Sequence, residues 1–263
     1  MTGGGAETPA DRADIMKILL AIVLLILGYP VRAEDAPSQP APFSAAKPGS
    51  VLPAGWTLTT LPRVPRATRF DVIRDEGQNV LRAVSESAAA TLTHKLRVDT
   101  ARTPWLAWRW KVTRVLDRAD LTRKDGDDYA ARVYVLFDYG LDRLSVAERF
   151  RIRLGRSLYG QDLPAAALCY VWDNRHPTGT SAWSAYTDRV RMIVVESGPE
   201  RVGRWVTETR NVAADFRAVF GEEPPPIAGI ALAADTDNTG ESVVAYFGDV
   251  RFLSSHAESD MRP

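Results

Sequence analysis

The sequence is poor in the residues that most catalytic and metal centres need. It contains one cysteine and three histidines in 263 residues. His94, His176 and His256 lie far apart in no metal-ligand spacing, and Cys169 stands alone in an apolar run. Zinc and serine hydrolase motifs are missing, and no glycine-rich phosphate loop opens a helix. No internal disulfide can form, so we predict a fold stabilised by its core and no cofactor, apart from the calcium ion considered below.

The chain also lacks an excess of charge of either sign. Lysine plus arginine and aspartate plus glutamate number 33 each. A chain whose positive and negative charges cancel has no excess of positive charge with which to attract nucleic acid or an anionic membrane. We therefore predict neither as a partner.

Long hydrophobic runs are absent except for one near the N-terminus. Met16 and Lys17 precede Ile18–Leu27, an apolar run of about ten residues, whereas a membrane span needs about 20. Val31 and Ala33 then provide the small residues at positions −3 and −1 that suit cleavage by a signal peptidase after Ala33. We predict that residues 1–33 are an N-terminal extension and a secretory signal peptide, with Met16 as the start. The mature protein would be periplasmic or secreted, with no stable membrane anchor; an uncleaved anchor is the alternative.

Residues 34–50 are rich in proline, alanine and serine, and Phe43 is their one large apolar side chain. This composition is typical of a flexible linker or of an N-terminal arm laid over the domain, and we predict a linker. Residues 51–255 would form a single domain, and residues 256–263 a polar tail.

Short strand-like runs separated by turn residues follow one another through the domain, about ten in all. They are Phe70–Ile73, Val80–Val84, Ala90–Val98, Trp105–Val112, the strand after Gly126, Ala166–Trp172, Val190–Glu196, Arg204–Glu208, Ile227–Ala234 and Val243–Phe252. Asn211–Phe220 has helical spacing and is stopped by Gly221. Leu141–Leu154 is charged and is either helix or surface loop. The pattern predicts an all-β fold, an antiparallel two-sheet β-sandwich resembling a jelly roll, with one short helix.

We interpret the segment from Gly126 to Asp138 as the central strand. One face carries Tyr129, Ala131, Val133, Val135 and Phe137, which should be buried. The other face carries Asp128, Ala130, Arg132, Tyr134 and Leu136. It begins with charge and an aromatic ring, as the floor of a binding site would. A salt bridge from Arg132 to Asp128 or to a loop carboxylate is the alternative, because buried charge must be paired.

The densest group of oxygen ligands is the loop from Asp235 to Glu241. Calcium takes six to eight oxygen ligands, and Asp235, Asp237 and Glu241 are the candidate metal ligands here. The same loop, with Asn238, could instead contact ligand hydroxyl groups without a metal. A plain turn is the third interpretation, since Asp, Asn, Thr and Gly are ordinary turn residues.

Two further patterns point to sugars. Trp172 and Asn174 alternate at a strand end, and an aromatic face beside an amide suits a sugar ring, although Trp172 could equally be a core residue. Glycoside hydrolysis needs two carboxylates about 5 to 9.5 Å apart. Carboxylates near predicted strand ends are Asp127, Asp128, Glu196, Glu208, Asp235 and Glu241.

Ten short segments in this order resemble one known family. They are Trp108–Val112, Lys124–Val135, Tyr170–Trp172, Arg191–Val194, Trp205–Glu208, Asp215–Arg217, Phe220–Gly221, Gly229–Leu232, Asp235–Gly240 and Gly248–Asp249. Together they resemble the bacterial family known as domain of unknown function 3047, from about Gly55 to Phe252. The resemblance implies an exported envelope protein and carries over no catalytic residue. Tyr246–Phe252 also resembles the last strand of sugar-binding jelly rolls.

The sequence therefore predicts an exported, non-catalytic binding protein that recognises a glycan or glycan-like ligand on a polar sheet face. The predicted ligand-binding residues are Asp127, Asp128, Arg132, Tyr134, Trp172, Asn174, Asp235, Asp237, Asn238 and Glu241. One alternative is a glycan-cleaving hydrolase or lyase that uses strand-end carboxylates. The other is a structural or partner-binding envelope protein, which would present an exposed apolar patch and no groove.

Overall fold

The computed structural model of the protein describes residues 36–49, 52–61, 64–140 and 165–256. The predicted signal peptide, the Leu141–Leu154 segment and nearly all of the polar tail lie outside the described residues. Among the described residues, no helix combines the length and the apolar character needed to cross a membrane.

The described residues form thirteen strands and one α-helix. The strands are β1 (Trp56–Thr60), β2 (Arg69–Asp75), β3 (Gln78–Glu86), β4 (Ala90–Val98), β5 (Trp105–Val112), β6 (Tyr129–Phe137), β7 (Ala167–Asp173), β8 (Ser181–Ser184), β9 (Thr187–Ser197), β10 (Val206–Asn211), β11 (Ile227–Asp235), β12 (Ser242–Phe247) and β13 (Arg251–Leu253). Helix α1 spans Val212–Phe220.

The strands form two sheets, which confirms the predicted β-sandwich. The seven-stranded sheet has the order β1-β4-β11-β6-β7-β9-β8, and the six-stranded sheet has the order β10-β5-β12-β3-β2, with β13 also paired to β5. All pairs are antiparallel except β7 and β9, which run parallel. The connection between these two strands contains β8, and it is long enough to return the chain so that β9 starts beside the start of β7.

The predicted helix is present because both of its ends carry the expected signals. The Asn211 side chain accepts a hydrogen bond from the backbone N–H of Ala214 at 2.9 Å, which caps the N-terminus. Gly221 adopts the left-handed conformation, with φ 72°, and ends the helix.

Aromatic side chains hold the two sheets together. Trp110 of the six-stranded sheet meets Trp172 of the seven-stranded sheet, with ring centroids 5.8 Å apart. Trp108 stacks against Tyr170 across the same interface at 5.3 Å. All four residues are at most 2% exposed, so the core lies between the sheets and is rich in tryptophan.

Residues 36–49 are not a free linker but an arm that packs along the domain, which corrects the predicted linker. Phe43 is fully buried and stacks on Trp56 at 4.9 Å. The Gln39 side chain exchanges two hydrogen bonds with the backbone of Phe252, at 2.7 and 2.9 Å. The backbone N–H of Ala41 donates to His94 at 3.2 Å. Because Phe252 and His94 belong to different sheets, the arm ties one sheet to the other.

The outward faces of the two sheets differ in character. Every residue of β6 and β7 is buried, so the central strands of the seven-stranded sheet are covered on both sides. In β12 of the six-stranded sheet, buried residues alternate with exposed and half-buried ones. The face of the sandwich that meets solvent therefore belongs to the six-stranded sheet, and the prediction of an open face on β6 is wrong.

Candidate functional site

The start of β6 and the end of β11 bring four aspartates and an arginine together. We call this group the acidic cluster: Asp127, Asp128, Arg132, Asp235 and Asp237. β6 and β11 are antiparallel neighbours, with Arg132 opposite Ala233 and Tyr129 opposite Asp235. The loop before β6 therefore meets the loop after β11, and Arg132 lies beside the 235–241 loop.

A β-bulge shapes this end of the sheet. The three-residue step from Tyr129 to Arg132 faces the two-residue step from Ala233 to Asp235. Tyr129 consequently turns to the side of Arg132, whose guanidinium carbon lies 4.5 Å from the centroid of its ring. Tyr129 was predicted to share the inner face with Ala131. The structure places Tyr129 in the apolar cluster on the other side of the sheet, whereas Ala131 lies in the inner core as predicted, together with Ala130.

Arg132 is buried and fully engaged by its neighbours. Its side chain is 2% exposed, and its Nε donates to Asp235 Oδ1 at 2.8 Å. The second Asp235 oxygen pairs with Nη2 of the same guanidinium. Nη2 also donates to the carbonyl oxygen of Asp127 at 2.8 Å, and Nη1 reaches the Asp127 carboxylate at 3.5 Å. The salt bridge to a loop carboxylate is thus present, and Arg132 is not available at the surface to touch a ligand.

Asp128 holds the 235–241 loop in place. Its carboxylate accepts hydrogen bonds from the backbone N–H of Thr239 at 2.6 Å and of Asn238 at 3.3 Å. The Asn238 side chain donates to it as well, at 3.2 Å. Asp128 is fully buried, whereas Asp237 and Asn238 are half-buried and form the accessible edge of the cluster.

Three carboxylates of the cluster lie close enough to share a cation. One oxygen each of Asp128, Asp235 and Asp237 lies within 4.8 Å of the other two. Burial raises the pKa of Asp237 to about 6, and the charge of Asp128 adds to this rise. Burial also raises the pKa of Asp127 to about 6, although Arg132 opposes it. Without a further cation, the cluster is short of positive charge at neutral pH.

Glu241 does not belong to this group, which corrects the predicted set of metal ligands. Its carboxylate accepts from Arg114 Nη2 at 2.8 Å and from the backbone N–H groups of Asp117 at 3.2 Å and Arg118 at 3.0 Å. It therefore fastens the loop that follows β5. Asp128 takes the place of Glu241 beside Asp235 and Asp237.

The remaining predicted ligand contacts are structural. Tyr134 is 1% exposed and lies in the apolar cluster on the outer side of the seven-stranded sheet. Trp172 is 1% exposed in the core, and its indole donates to the carbonyl of Gly198 at 3.2 Å. The Asn174 amide donates to the carbonyl of Ala119 at 3.0 Å. These positions give Trp172 and Tyr134 no surface on which a sugar could stack, which corrects the predicted floor and wall.

A second candidate site lies on the solvent-facing side of the six-stranded sheet. We call it the open sheet face, and its members are Asp71, Asp75, Arg82, Arg109, Lys111, Trp205 and Tyr246. Tyr246 on β12 lies opposite Lys111 on β5 and opposite Arg82 on β3, and Arg82 lies opposite Asp71 on β2. This row crosses four adjacent strands, which span roughly 14 Å at the usual strand spacing.

Ion pairs fix the charged members of the open sheet face. Arg82 binds both carboxylate oxygens of Asp71, at 2.9 and 2.7 Å. The two side chains stay 39% and 42% exposed, so a ligand can still reach them. Lys111 donates to Asp75 at 2.5 Å, and this pair is more deeply buried.

The aromatic members of the open sheet face are held by cations. The Lys111 ammonium lies 5.1 Å from the ring of Trp205 and 4.9 Å from that of Tyr246. Arg109 lies 4.5 Å from the Trp205 ring. The Trp205 indole donates to Asp75 at 2.8 Å, which orients the ring. The result is a pair of half-exposed aromatic rings set among charged groups.

None of the members of the open sheet face was among the predicted ligand-binding residues. The signal for Arg109 is its phase in β5, where it alternates with the buried Trp108 and Trp110. The signal for Tyr246 is its phase in β12, where it alternates with the buried Ala245 and Phe247. Trp205 precedes β10 in a turn, so no strand period marks it.

The fold and these sites define a two-sheet β-sandwich with a charged, aromatic sheet face and an acidic loop cluster at one end. Residues 54–251 match the family described as protein of unknown function (DUF3047), and the chain belongs to that family. The resemblance seen in the sequence is thereby confirmed. No curated protein matches this sequence.

Several solved structures match this chain in a comparison of structures, all with low TM-scores. A CBM4 protein is 13% identical, with a TM-score of 0.31, over 77% of this chain and 96% of its own. The cellulose-induced protein Cip1 is 12% identical, with a TM-score of 0.31, over 76% and 91%. SGBP-B, from a complex xyloglucan utilization locus in Bacteroides uniformis, is 11% identical, with a TM-score of 0.30, over 85% of this chain and 50% of its own. Because the TM-scores and identities are this low, these similarities do not indicate a ligand for this chain.

Proposed function

We propose that this chain is an exported, non-catalytic glycan-binding protein that binds its ligand on the open sheet face. The observation that carries the proposal is the pair of half-exposed rings of Trp205 and Tyr246 beside the exposed ion pair of Arg82 and Asp71. C–H edges of a sugar ring stack on aromatic faces, while its hydroxyl groups need fixed donors and acceptors. The open sheet face offers both, on a row long enough for more than one sugar ring.

Binding without catalysis fits the chemistry of this face better than hydrolysis does. A glycosidase needs one carboxylate that stays protonated near neutral pH. Asp71 accepts two hydrogen bonds from Arg82. Burial raises the pKa of Asp75, but the hydrogen bonds and charges of Lys111, Trp205 and Arg109 outweigh it and lower that pKa overall. Export rests on the signal peptide predicted within residues 1–33, and the periplasm or the cell exterior is where such a protein would meet glycans.

Removing either aromatic ring of the open sheet face is expected to weaken glycan binding roughly tenfold or more, the effect typical of a central aromatic contact. A glycan array with the exported protein identifies the ligand, and calorimetry then compares it with Trp205→Ala and Tyr246→Ala. Trp183→Ala is the matched control, because Trp183 is a 36% exposed tryptophan on the other sheet. Thermal melting of each variant verifies that the fold is retained.

Equal affinity of Trp205→Ala, Tyr246→Ala and the unmodified protein would contradict this site. An array without any bound glycan would overturn the proposed function itself.

We also propose that the acidic cluster binds calcium through Asp128, Asp235 and Asp237. The supporting observation is their mutual distance together with the raised pKa of Asp237. All three ligands are carboxylate oxygens, the type that calcium prefers. The ion would neutralise charges that Arg132 alone does not balance, and it would fix the half-buried edge of the loop at Asn238.

Calcium at 100 times its Kd is expected to stabilise the protein by about 2.7 kcal/mol and raise its Tm by about 5 to 10 °C at pH 7.5. Asp127 and Asp237 have folded-state pKa values of about 6, above the ordinary value of 3.8. Their contribution to stability is present below pH 3.8 and is lost as the pH rises through about 6. Calcium should therefore stabilise more at pH 7.5 than at pH 5, as measured by thermal melting.

Two variants separate this calcium site from a nonspecific effect of the ion. Asp237→Asn should abolish the calcium-induced rise in Tm, whereas Glu241→Gln should retain it because Glu241 faces Arg114 instead. A rise that survives in Asp237→Asn, or the absence of any rise in the unmodified protein, would refute the site.

A further inference from the structure

Among the cations of the open sheet face, Arg109 differs in having no acidic partner. Arg82 and Lys111 each bind a carboxylate of the same face. Arg109 instead donates from Nη2 to the side-chain oxygen of Gln78, which carries no charge. Within the described part of the chain, Arg109 forms no ion pair. Its charged N–H groups are therefore left for an acceptor that the chain itself does not supply.

The acidic residues near Arg109 are engaged by other groups. Asp75 lies close enough for the charge of Arg109 to act on it. The Asp75 carboxylate, however, is bound by the Lys111 ammonium at 2.5 Å and by the Trp205 indole at 2.8 Å. Glu76 also turns to Lys111, at 3.4 Å. Asp75 thus reduces the field of Arg109 from a distance but does not occupy its N–H groups.

Three neighbours hold the Arg109 side chain in a fixed position. Its guanidinium carbon lies 4.5 Å from the centroid of the Trp205 ring. The side chain crosses directly over Gly248, where a Cβ atom would lie 2.6 Å from both Cγ and Nε of Arg109. Gln78 accepts the hydrogen bond at the far end. Because the guanidinium is fixed before a ligand arrives, binding costs little side-chain entropy.

A ligand can reach Arg109 from solvent. Arg109 and Trp205 are half-buried, and Thr207, which lies opposite Arg109 on β10, is exposed. A guanidinium has five N–H donors, and the hydrogen bond to Gln78 uses one of them. Directly opposite residues of neighbouring strands share one face of a sheet. The free donors of Arg109 and the Thr207 hydroxyl therefore lie on the open sheet face.

We propose that Arg109 binds the carboxylate of an acidic sugar, so that the open sheet face prefers glycans containing uronic acid to neutral glycans. This inference rests on the glycan-binding function proposed above. A guanidinium and a carboxylate are both planar and can form two parallel hydrogen bonds, which a lysine ammonium cannot reproduce. A sugar ring that contacts Trp205 brings its carboxylate beside a guanidinium that lies against the same indole.

The test uses calorimetry with three probes, oligogalacturonate, oligoglucuronate and oligomannuronate, each beside its methyl ester. The ester keeps the stereochemistry of the sugar and removes its charge. At least one acid is expected to bind about tenfold or more tightly than its ester, the gain typical of a hydrogen bond to a charged group. This preference should shrink in about 1 M salt, where the Debye length is about 3 Å. No calcium is added, because carboxylates of the probes would bind it themselves.

Three variants test whether the preference belongs to Arg109. Arg109→Gln should lower the affinity for the acid far more than the affinity for the ester. Gly248→Ala keeps every charge but displaces the Arg109 side chain, so it should reduce the preference as well. Arg191→Gln is the matched control, because the Arg191 guanidinium stacks on Trp183 of the other sheet at 5.0 Å. It removes the same charge and should leave the preference intact. Thermal melting verifies the fold of each variant.

The failure of this inference can be told apart from the failure of the glycan site. Equal affinity for acid and ester, or a preference that persists in both Arg109→Gln and Gly248→Ala, would overturn the role of Arg109 and leave the glycan site standing. Binding of neutral glycans on the array without binding of any acidic probe would do the same. If neither the array nor the probes show binding, the proposed function fails together with this inference.

Discussion

Replacing Arg132 with methionine is expected to lower the free energy of unfolding by about 3 to 5 kcal/mol at pH 7.5. The reason is that Arg132 is buried between Asp127 and Asp235, and its removal leaves both carboxylates without their cation. The deficit should be smaller at pH 5 than at pH 7.5, because protonation can then neutralise carboxylates whose pKa the substitution raises. Urea denaturation at the two pH values measures both effects.

Arg69→Met is the matched control for Arg132→Met. Arg69 pairs with Glu86 at 3.3 Å, but the side chains are 68% and 58% exposed. Loss of such a surface pair costs about 0 to 1 kcal/mol. Adding Asp235→Asn to Arg132→Met should restore part of the lost stability. If Arg132→Met is as stable as the unmodified protein, the acidic cluster does not depend on this ion pair.

Local sequence patterns were sufficient for much of the fold. The ranges Ala90–Val98 and Trp105–Val112 were predicted with the same bounds as β4 and β5. Alternation of side chains in the strands and the capping residues of α1 are local features, and a sequence displays them directly. The split of the last predicted strand into β12 and β13, and the short strands β1 and β8, depend on partner strands that no local pattern specifies.

The position of the solvent-facing sheet was beyond local patterns. Arg132 suggested a polar face on β6. Tyr134 and Leu136 lie on the same side of this strand, and both belong to the apolar cluster on the outer side of the sheet. The run Ala167–Trp172 is apolar at every position, which is typical of a strand covered on both faces. This run, weighed against a single arginine, would have indicated that the sheet around β6 is covered.

The convergence of the acidic cluster was partly predictable. Arg132 and Asp235 are 103 residues apart, and their contact depends on β6 and β11 being neighbours in the sheet. The sequence identified both residues as candidates because charged side chains at strand ends are informative. It assigned Glu241 instead of Asp128 to the metal group, since adjacency in one loop is visible in a sequence and strand order is not.

Phe43→Ala tests the arm, and its effect should be nearly as large as that of Arg132→Met. Phe43 is fully buried against Trp56, and removing a buried phenylalanine side chain costs about 3 to 5 kcal/mol. Leu58→Ala is the control, because Leu58 is 44% exposed on β1 and its loss should cost no more than about 0.5 kcal/mol. Urea denaturation measures both variants.

Hydrogen exchange decides whether the arm detaches before the sandwich unfolds. The Arg97 N–H donates to the Pro37 carbonyl at 2.9 Å, so its exchange reports the contact of the arm with β4. In Phe43→Ala this amide should exchange much faster, while amides of β6 stay protected, because the arm then opens as a local unit. If the amide exchanges as slowly as in the unmodified protein and urea denaturation finds no loss of stability, Phe43 is not what holds the arm to the domain.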